Sequence, residues 1–144
     1  MIPTLRPLHI RELFGGAPPK LKSEKTLLED EFEFQIRAHR LPLAHRQLRL
    51  IVKRQWRWDF CFPVQRVSVE IDGLIVLRDK ASGELIVRGG HATPQGMRNG
   101  MEKDHAAILV GWLPLHFERN HITSGYAIAT LQRVLAARGW GGPT

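Results

Sequence analysis

The sequence predicts an α/β domain in which a mixed central sheet is flanked by helices. Aromatic and β-branched residues alternate with polar ones over residues 56–62 and 67–71, which predicts two strands joined by a turn at 63–66. Apolar residues recur at helical spacing in three other segments, 23–39, 97–110 and 126–138. With 144 residues, 43% of them hydrophobic, the chain is long enough for one substantial core. Helices interspersed with strands favour the α/β class.

The chain begins with a segment that is too rich in breakers to form a packed element. Residues 1–22 contain four prolines and two glycines, which predicts a flexible N-terminal arm. The domain itself is expected over residues 23–138. Its first helix is predicted to be capped by Ser23 and to end near His39. Residues 43–52 follow as a further strand, because apolar and polar side chains alternate there.

A second hairpin is predicted at residues 74–88, where two apolar runs flank Asp79-Lys80-Ala81-Ser82-Gly83, a typical turn composition. We expect it to form an extra β-hairpin arm beside the first hairpin. Its basic side chains suit a nucleic-acid partner. The residues expected to contact nucleic acid are Arg57, Arg78, Lys80, Arg88 and Arg98.

The last third of the chain predicts two more helices and one more strand. Ser124 is expected to cap the final helix. The two helices are expected from Met97 or Arg98 to Val110 and from Tyr126 to about Arg138, with the strand at 113–117 between them. A flexible loop at 89–96 is expected before the first of these helices, and a frayed tail at 139–144 after the second.

The first hairpin is expected to carry an acidic face. Because successive side chains of a strand point to opposite faces, Asp59 on the first strand and Glu70 and Asp72 on the second should project from one side. Carboxylates this close repel one another unless a cation lies among them, and Mg²⁺ prefers such oxygen ligands. The sequence therefore indicates a magnesium-type site. The opposite face of the first strand is expected to carry core aromatics, namely Trp56, Trp58, Phe60 and Phe62.

Each of these acids also has a simpler interpretation. Asp59 and Glu70 could be surface partners of Arg57 and Arg49. Asp72 precedes Gly73 and could be an ordinary turn residue. The sequence by itself leaves these alternatives open.

The charge balance indicates a polyanionic partner. The chain has 21 Lys and Arg against 14 Asp and Glu, a formal charge of +7. Basic residues neutralise phosphates while carboxylates hold a cation, so a basic surface around an acidic pocket fits a polyanionic substrate that meets a metal, and basic proteins also bind acidic partners or membranes. No apolar run is long enough for a membrane span and no signal peptide is evident, so a cytoplasmic location is expected. The single cysteine, Cys61, is expected to be a buried thiol.

The motifs of the first hairpin resemble those of PD-(D/E)XK, or restriction-endonuclease-like, nucleases. The resemblance starts from Trp58-Asp59-Phe60 and continues, eleven positions after Asp59, with Val69-Glu70-Ile71-Asp72-Gly73. More narrowly, it resembles small phage and bacterial endonuclease-domain proteins akin to very-short-patch-repair endonucleases. Leu28-Glu29 before the hairpin and Glu102-Lys103 after it match that branch, so the resemblance covers roughly residues 25–137.

The resemblance implies a restriction-endonuclease-like fold and a role for each matched residue. Asp59 and Glu70 correspond to the metal-binding carboxylates, with the Ile71 carbonyl as a further ligand. Asp72 stands where the wider superfamily has lysine. The remaining implied catalytic residues are Glu29 from the first helix, Lys103 as the cation near phosphate, and the loop histidine His91.

The function implied is a Mg²⁺-dependent DNA endonuclease of repair, recombination or phage DNA processing, with Mn²⁺ able to substitute. Cutting both strands symmetrically would require a homodimer. Two departures set this chain apart, since Gly100 stands where close relatives have aspartate and the arm at 74–88 is longer than usual. The alternative is a non-catalytic nucleic-acid-binding module on the same fold.

Overall fold

The computed structural model describes residues 20–73, 75–88 and 92–143. The predicted arm at 1–22 therefore lies almost wholly outside the described residues, and so does His91. The described elements, in chain order, are α1 (Glu24–Ala38), β1 (His45–Leu48), β2 (Trp58–Phe62), β3 (Val67–Ile71), β4 (Ile75–Arg78), β5 (Leu85–Arg88), α2 (Pro94–Leu109), β6 (Leu113–Phe117), α3 (Arg119–Thr123) and α4 (Tyr126–Ala137).

Four of the strands form a mixed central sheet in the order β1-β2-β3-β6. The pairs β1–β2 and β2–β3 are antiparallel, whereas β3 and β6 are parallel and are connected through the arm and α2. Phe60 of β2 lies opposite Val69 of β3. Because the two strands are antiparallel, Asp59, the residue before Phe60, lies opposite Glu70, the residue after Val69. The predicted α/β class with a mixed sheet is confirmed.

The main core lies between the sheet and the helices α1 and α4. Phe32 of α1 is fully buried and packs edge-on against Phe60, with 5.3 Å between the ring centroids. Leu131 and Leu135 of α4 are fully buried in the same cluster. Burying a side chain of this size stabilises a fold by about 1.5–3 kcal/mol. This core holds the first turns of α1 against the hairpin β2–β3.

A second, smaller cluster contains Trp58, Cys61 and Ala107 of α2, with Trp56 partly buried against it. The prediction that Trp56 and Trp58 share a face with Phe60 and Phe62 is therefore wrong. Trp58 packs instead with Ala107 of α2, whereas Phe60 and Phe62 pack in the main core. Cys61 is fully buried, as expected.

Side-chain caps set the first residues of α1 and α2. The predicted start is correct for α1 and incorrect for α2. Ser23 caps α1 as predicted, since its hydroxyl accepts the N–H of Thr26 at 3.1 Å. The helix α2 begins at Pro94, earlier than Met97 or Arg98, because the Thr93 hydroxyl accepts the N–H of Gly96 at 3.0 Å. Proline is favoured in the first turn after such a cap. Residues 94–96 of the predicted loop are thus helical.

The C-terminal region differs from prediction in three details. A short helix, α3, precedes α4 and was not predicted. The N-cap of α4 is Gly125, with a φ of 83°, so Ser124 is not the cap, although its hydroxyl accepts the N–H of Tyr126. Trp140 packs against the core and donates its backbone N–H to Leu135, so the predicted frayed tail is held at least to this residue.

The hairpin β4–β5 forms a two-stranded sheet separate from the central one, which confirms the predicted hairpin. The predicted strand at 43–52 is shorter than expected, as β1. No helix within 20–73, 75–88 or 92–143 is long and apolar enough to cross a membrane.

Candidate active site

Asp59 is held by contacts from three neighbouring elements. The residue is 2% exposed, and its Oδ2 accepts the backbone N–H of Ile71 at 2.8 Å across the hairpin. Its Oδ1 accepts from the side-chain amide of Gln47 at 3.1 Å, and the Lys25 ammonium lies 3.3 Å from Oδ2. Burial acts to raise the pKa of Asp59, but the Ile71 N–H and the Lys25 charge outweigh it and lower the pKa. Asp59 is therefore a fixed carboxylate.

Glu70, on the adjacent strand, lies within hydrogen-bonding reach of Asp59 and is 8% exposed. Its carboxylate forms an ion pair with the ammonium of Lys103 from α2. Burial and the charge of Asp59 raise the pKa of Glu70 to about 7, although Lys103 acts in the opposite direction. The cation predicted from the sequence, Lys103, is thus in place beside the acid.

Glu29 brings a third carboxylate to the same point from the first helix. It is 8% exposed and lies within hydrogen-bonding reach of Asp59. The Arg46 guanidinium lies 3.3 Å from its Oε2, and the Lys25 ammonium 3.8 Å from its Oε1. Burial and the charge of Asp59 raise the pKa of Glu29 to about 7. Glu29 is therefore a buried member of this cluster.

Two of the simpler alternatives are also excluded by these contacts. Arg57 donates to the Gln47 carbonyl at 3.2 Å, and Arg49 donates to the carbonyls of Val52 and Arg54. The partners of Asp59 and Glu70 are lysines instead.

Asp72 lies in a cluster around His116, just beyond the end of β3. One oxygen of Asp72 lies 3.2 Å from His116 Nδ1, and Asp104 of α2 lies 2.7 Å from His116 Nε2. Hydrogen bonds to the two carboxylates raise the pKa of His116 to about 9 despite its burial, with the bond to Asp72 the largest cause. Asp72 thus ties the end of β3 to β6 and α2 through His116, and its predicted role beside Asp59 and Glu70 stays a prediction.

The residues predicted to contact nucleic acid are spread over several elements. Arg98 is exposed on α2, and Lys80 is exposed at the turn of the arm. Arg78 is exposed and donates to the Gly83 carbonyl at 2.8 Å. Arg57 is exposed beside β2, and its carbonyl accepts from Lys103. The side chain of Arg88 and all of His91 lie outside what the structure describes. The predicted role of the Ile71 carbonyl stays a prediction.

Sequence reasoning missed several residues that complete the site. Lys25 carried a signal, since it stands four positions before Glu29 on the same helix. Asp104 directly follows Lys103 but gave no reason to pair it with a histidine. Gln47 and Arg46 could not be found, because their contacts depend on the register of β1 against β2.

The acidic cluster, formed by Glu29, Asp59 and Glu70, offers carboxylate oxygens to a cation such as Mg²⁺. Within the described ranges, no group of three or more His, Cys, Asp or Glu side chains is arranged as a metal site, and the three acids surround ammonium groups. Their oxygens are nevertheless the hard donors that Mg²⁺ prefers. The raised pKa values of Glu29 and Glu70, about 7, mean that their ionised forms are poorly stabilised. A divalent cation beside them would stabilise the ionised forms. The donor set therefore fits Mg²⁺.

Comparisons of the chain with protein-family models, with curated proteins and with solved structures find no match. The resemblance to nucleases therefore stays a prediction based on residues and their spacing.

Proposed function

We propose that the protein is a Mg²⁺-dependent DNA endonuclease of the PD-(D/E)XK type. The observation that carries this proposal is the convergence of three buried carboxylates, Glu29, Asp59 and Glu70, on one end of a β-hairpin in a chain of net charge +7. Buried acids in such number are costly for folding, which favours a functional reason for their presence.

The topology supports the finer, restriction-endonuclease-like arrangement. An antiparallel hairpin, β2–β3, carries the strand acids, and β3 runs parallel to β6, with α2 lying between them in the chain. The helix α1 brings the additional acid, as the resemblance implies. The hairpin β4–β5 is the extra arm of this proposal.

In the proposed reaction the residues of the chain have separate tasks. Asp59, fixed by Ile71 and Gln47, is the ionised ligand, and Glu70 is the second ligand. Glu29 accepts a hydrogen bond from the attacking water. Lys103 is held by the Arg57 carbonyl and the Glu70 carboxylate. Its ammonium stabilises the negative charge that develops on the phosphate. Mg²⁺, when bound, lowers the pKa of water and neutralises charge on phosphate oxygens.

A specific observation also favours the second candidate, a non-catalytic nucleic-acid-binding module. Lys25, Arg46 and Lys103 already neutralise the three carboxylates, so the cluster is balanced without an added cation. In that case the acids only hold α1 and α2 to the hairpin. The two candidates differ in one measurable property, metal-dependent cleavage.

The test is cleavage of supercoiled plasmid, single-stranded DNA and branched DNA in Mg²⁺, Mn²⁺ or EDTA. We expect cleavage in either metal and none in EDTA. Asp59→Asn and Glu70→Gln should each reduce the rate by about 100-fold or more, because a metal ligand is lost while side-chain volume is kept.

Glu31→Gln is the matched control, since Glu31 is an exposed acid of α1 that accepts from Gln35. It should cleave like the parent protein. Binding of DNA without any metal-dependent cleavage would favour the second candidate. Cleavage that persists in both Asp59→Asn and Glu70→Gln would place the activity elsewhere.

A further inference from the structure

The two lysines of the acidic cluster are held in different ways. The side chain of Lys103 is 16% exposed, and its ammonium donates to the Arg57 carbonyl at 2.6 Å besides pairing with Glu70. It also lies 4.8 Å from the ring centroid of Trp58, a favourable cation–π position. Three different partners therefore keep Lys103 in one place.

Lys25 is held more loosely at the open side of the cluster. Its side chain is 45% exposed, and its ammonium lies 3.3 Å from Asp59 Oδ2 and 3.8 Å from Glu29 Oε1. Its two carboxylate partners are buried, with side chains 4% and 10% exposed, so solvent reaches these ion pairs only from the lysine side. The long lysine stem allows the ammonium to leave without any movement of the backbone.

The position of Lys25 is nevertheless built into the fold. A Cβ at Gly73 would lie 3.1 Å from the Cβ of Lys25, so the glycine permits the close approach of α1 to the end of β3. Lys25 lies in the first turn of α1, and this approach places its ammonium over Asp59.

A cation at Asp59 would compete directly with Lys25. Oδ1 of Asp59 accepts from Gln47, and Oδ2 accepts from Ile71 and lies against Lys25. The amide donors are neutral and can remain beside a bound cation. The ammonium is a like charge and must move away from it.

We propose that Lys25 is the exchangeable counter-ion of the acidic cluster, which a divalent cation displaces when it binds to Asp59, whereas Lys103 is the fixed one. This inference rests on the proposed function, because it assumes that the acids bind a divalent cation. It adds a residue that sets the metal affinity of the site. The displaced ammonium remains within a side-chain length of the acids, where it is available to a phosphate of the substrate.

The inference is tested by titrating the full-length protein with Mn²⁺ and following free Mn²⁺ by electron paramagnetic resonance. Lys25→Met should bind Mn²⁺ about tenfold more tightly than the parent protein, which corresponds to removal of about 1.4 kcal/mol of competition. Lys25→Gln, which retains a polar end, should show the same tightening.

Lys22→Met is the matched control, because it removes the same charge from an exposed lysine whose partner is Asp30 rather than the cluster. Its Mn²⁺ affinity should stay within about twofold of the parent value, since screening weakens exposed charges at a distance. If the parent protein binds Mn²⁺ and both Lys25→Met and Lys25→Gln bind it no more tightly than the parent, the inference about Lys25 is overturned. The proposed metal site would still stand. If the parent protein binds no Mn²⁺, the metal site of the proposed function fails, and the inference fails with it.

Discussion

Asp59 is the residue around which the site is assembled. It receives hydrogen bonds from β3 and β1 and an ion pair from α1, so a single carboxylate joins three elements. These donors keep it ionised although it is buried. A charge held in this way is a strong electrostatic centre for any cation, and it raises the pKa of the neighbouring acids Glu29 and Glu70.

At this scale the sequence predicted part of the site and could not predict the rest. Alternation along two strands was enough to place Asp59 and Glu70 together. It did not predict the contact of Asp72 with His116, because this contact depends on how β6 pairs with β3. It also missed Lys25 and Gln47, whose contacts depend on how α1 and β1 dock.

His116 predicts a pH dependence of stability. Its pKa rises from 6.5 to about 9 on folding, so the folded protein binds the proton more tightly. The stabilisation is complete below pH 6.5 and is lost as the pH rises towards 9, on the order of 2 kcal/mol after discounting for solvent screening. His116→Gln should therefore flatten the fall in unfolding free energy between pH 7 and 9, measured by urea denaturation.

His45→Gln is the control for this measurement, because His45 is exposed on β1. It should leave the pH profile unchanged. The acids Glu29 and Glu70, whose pKa values are raised to about 7, contribute to the fall in stability of the parent and of His116→Gln alike, so the difference between the two profiles reports on His116. A profile of His116→Gln with the parental slope would contradict the role given to this histidine.

Among the elements, the hairpin β2–β3 carries the acids, and the helices α1 and α2 supply their counter-ions. Periodicity predicted these elements well, because their apolar residues follow the period of the structure they form. Their ends were harder to predict. The start of α2 depends on the Thr93 cap followed by Pro94, which the apolar periodicity of the helix does not reveal.

The arm β4–β5 is the element expected to bind DNA outside the acidic cluster. Its turn is well defined, since Asp79 Oδ1 accepts the N–H groups of Ala81 and Ser82 at 2.7 and 2.8 Å. Lys80 stands exposed within this turn. A single phosphate contact there would contribute to affinity irrespective of DNA sequence.

Lys80→Gln should weaken DNA binding about threefold near physiological salt and lower the slope of log affinity against log salt by about one. The measurement is fluorescence anisotropy with labelled duplex DNA in EDTA at several salt concentrations. Lys22→Gln serves as the charge-matched control, because Lys22 is engaged with Asp30. An unchanged slope for Lys80→Gln would show that the arm does not contact phosphate.

At the scale of the whole molecule, the chain combines a basic surface with a buried acidic cluster. A net charge of +7 attracts a polyanion, and the three acids lie where α1 and β2–β3 meet. The protein's own ammonium groups neutralise these acids before any metal binds. The account therefore depends on whether a divalent cation can replace an ammonium group beside Asp59 and Glu70.

The most direct measurement is a crystal structure of the protein soaked in Mn²⁺, with anomalous data collected near the manganese edge. We expect one anomalous peak between the carboxylates of Asp59 and Glu70, at about 2.2 Å from a ligating oxygen of each. The ammonium of Lys25 should have moved away from Asp59, while Lys103 remains beside Glu70. The proposed metal site would be contradicted by a structure at saturating Mn²⁺ that shows no anomalous peak at this position. In that structure the ion pair between Lys25 and Asp59 would be intact.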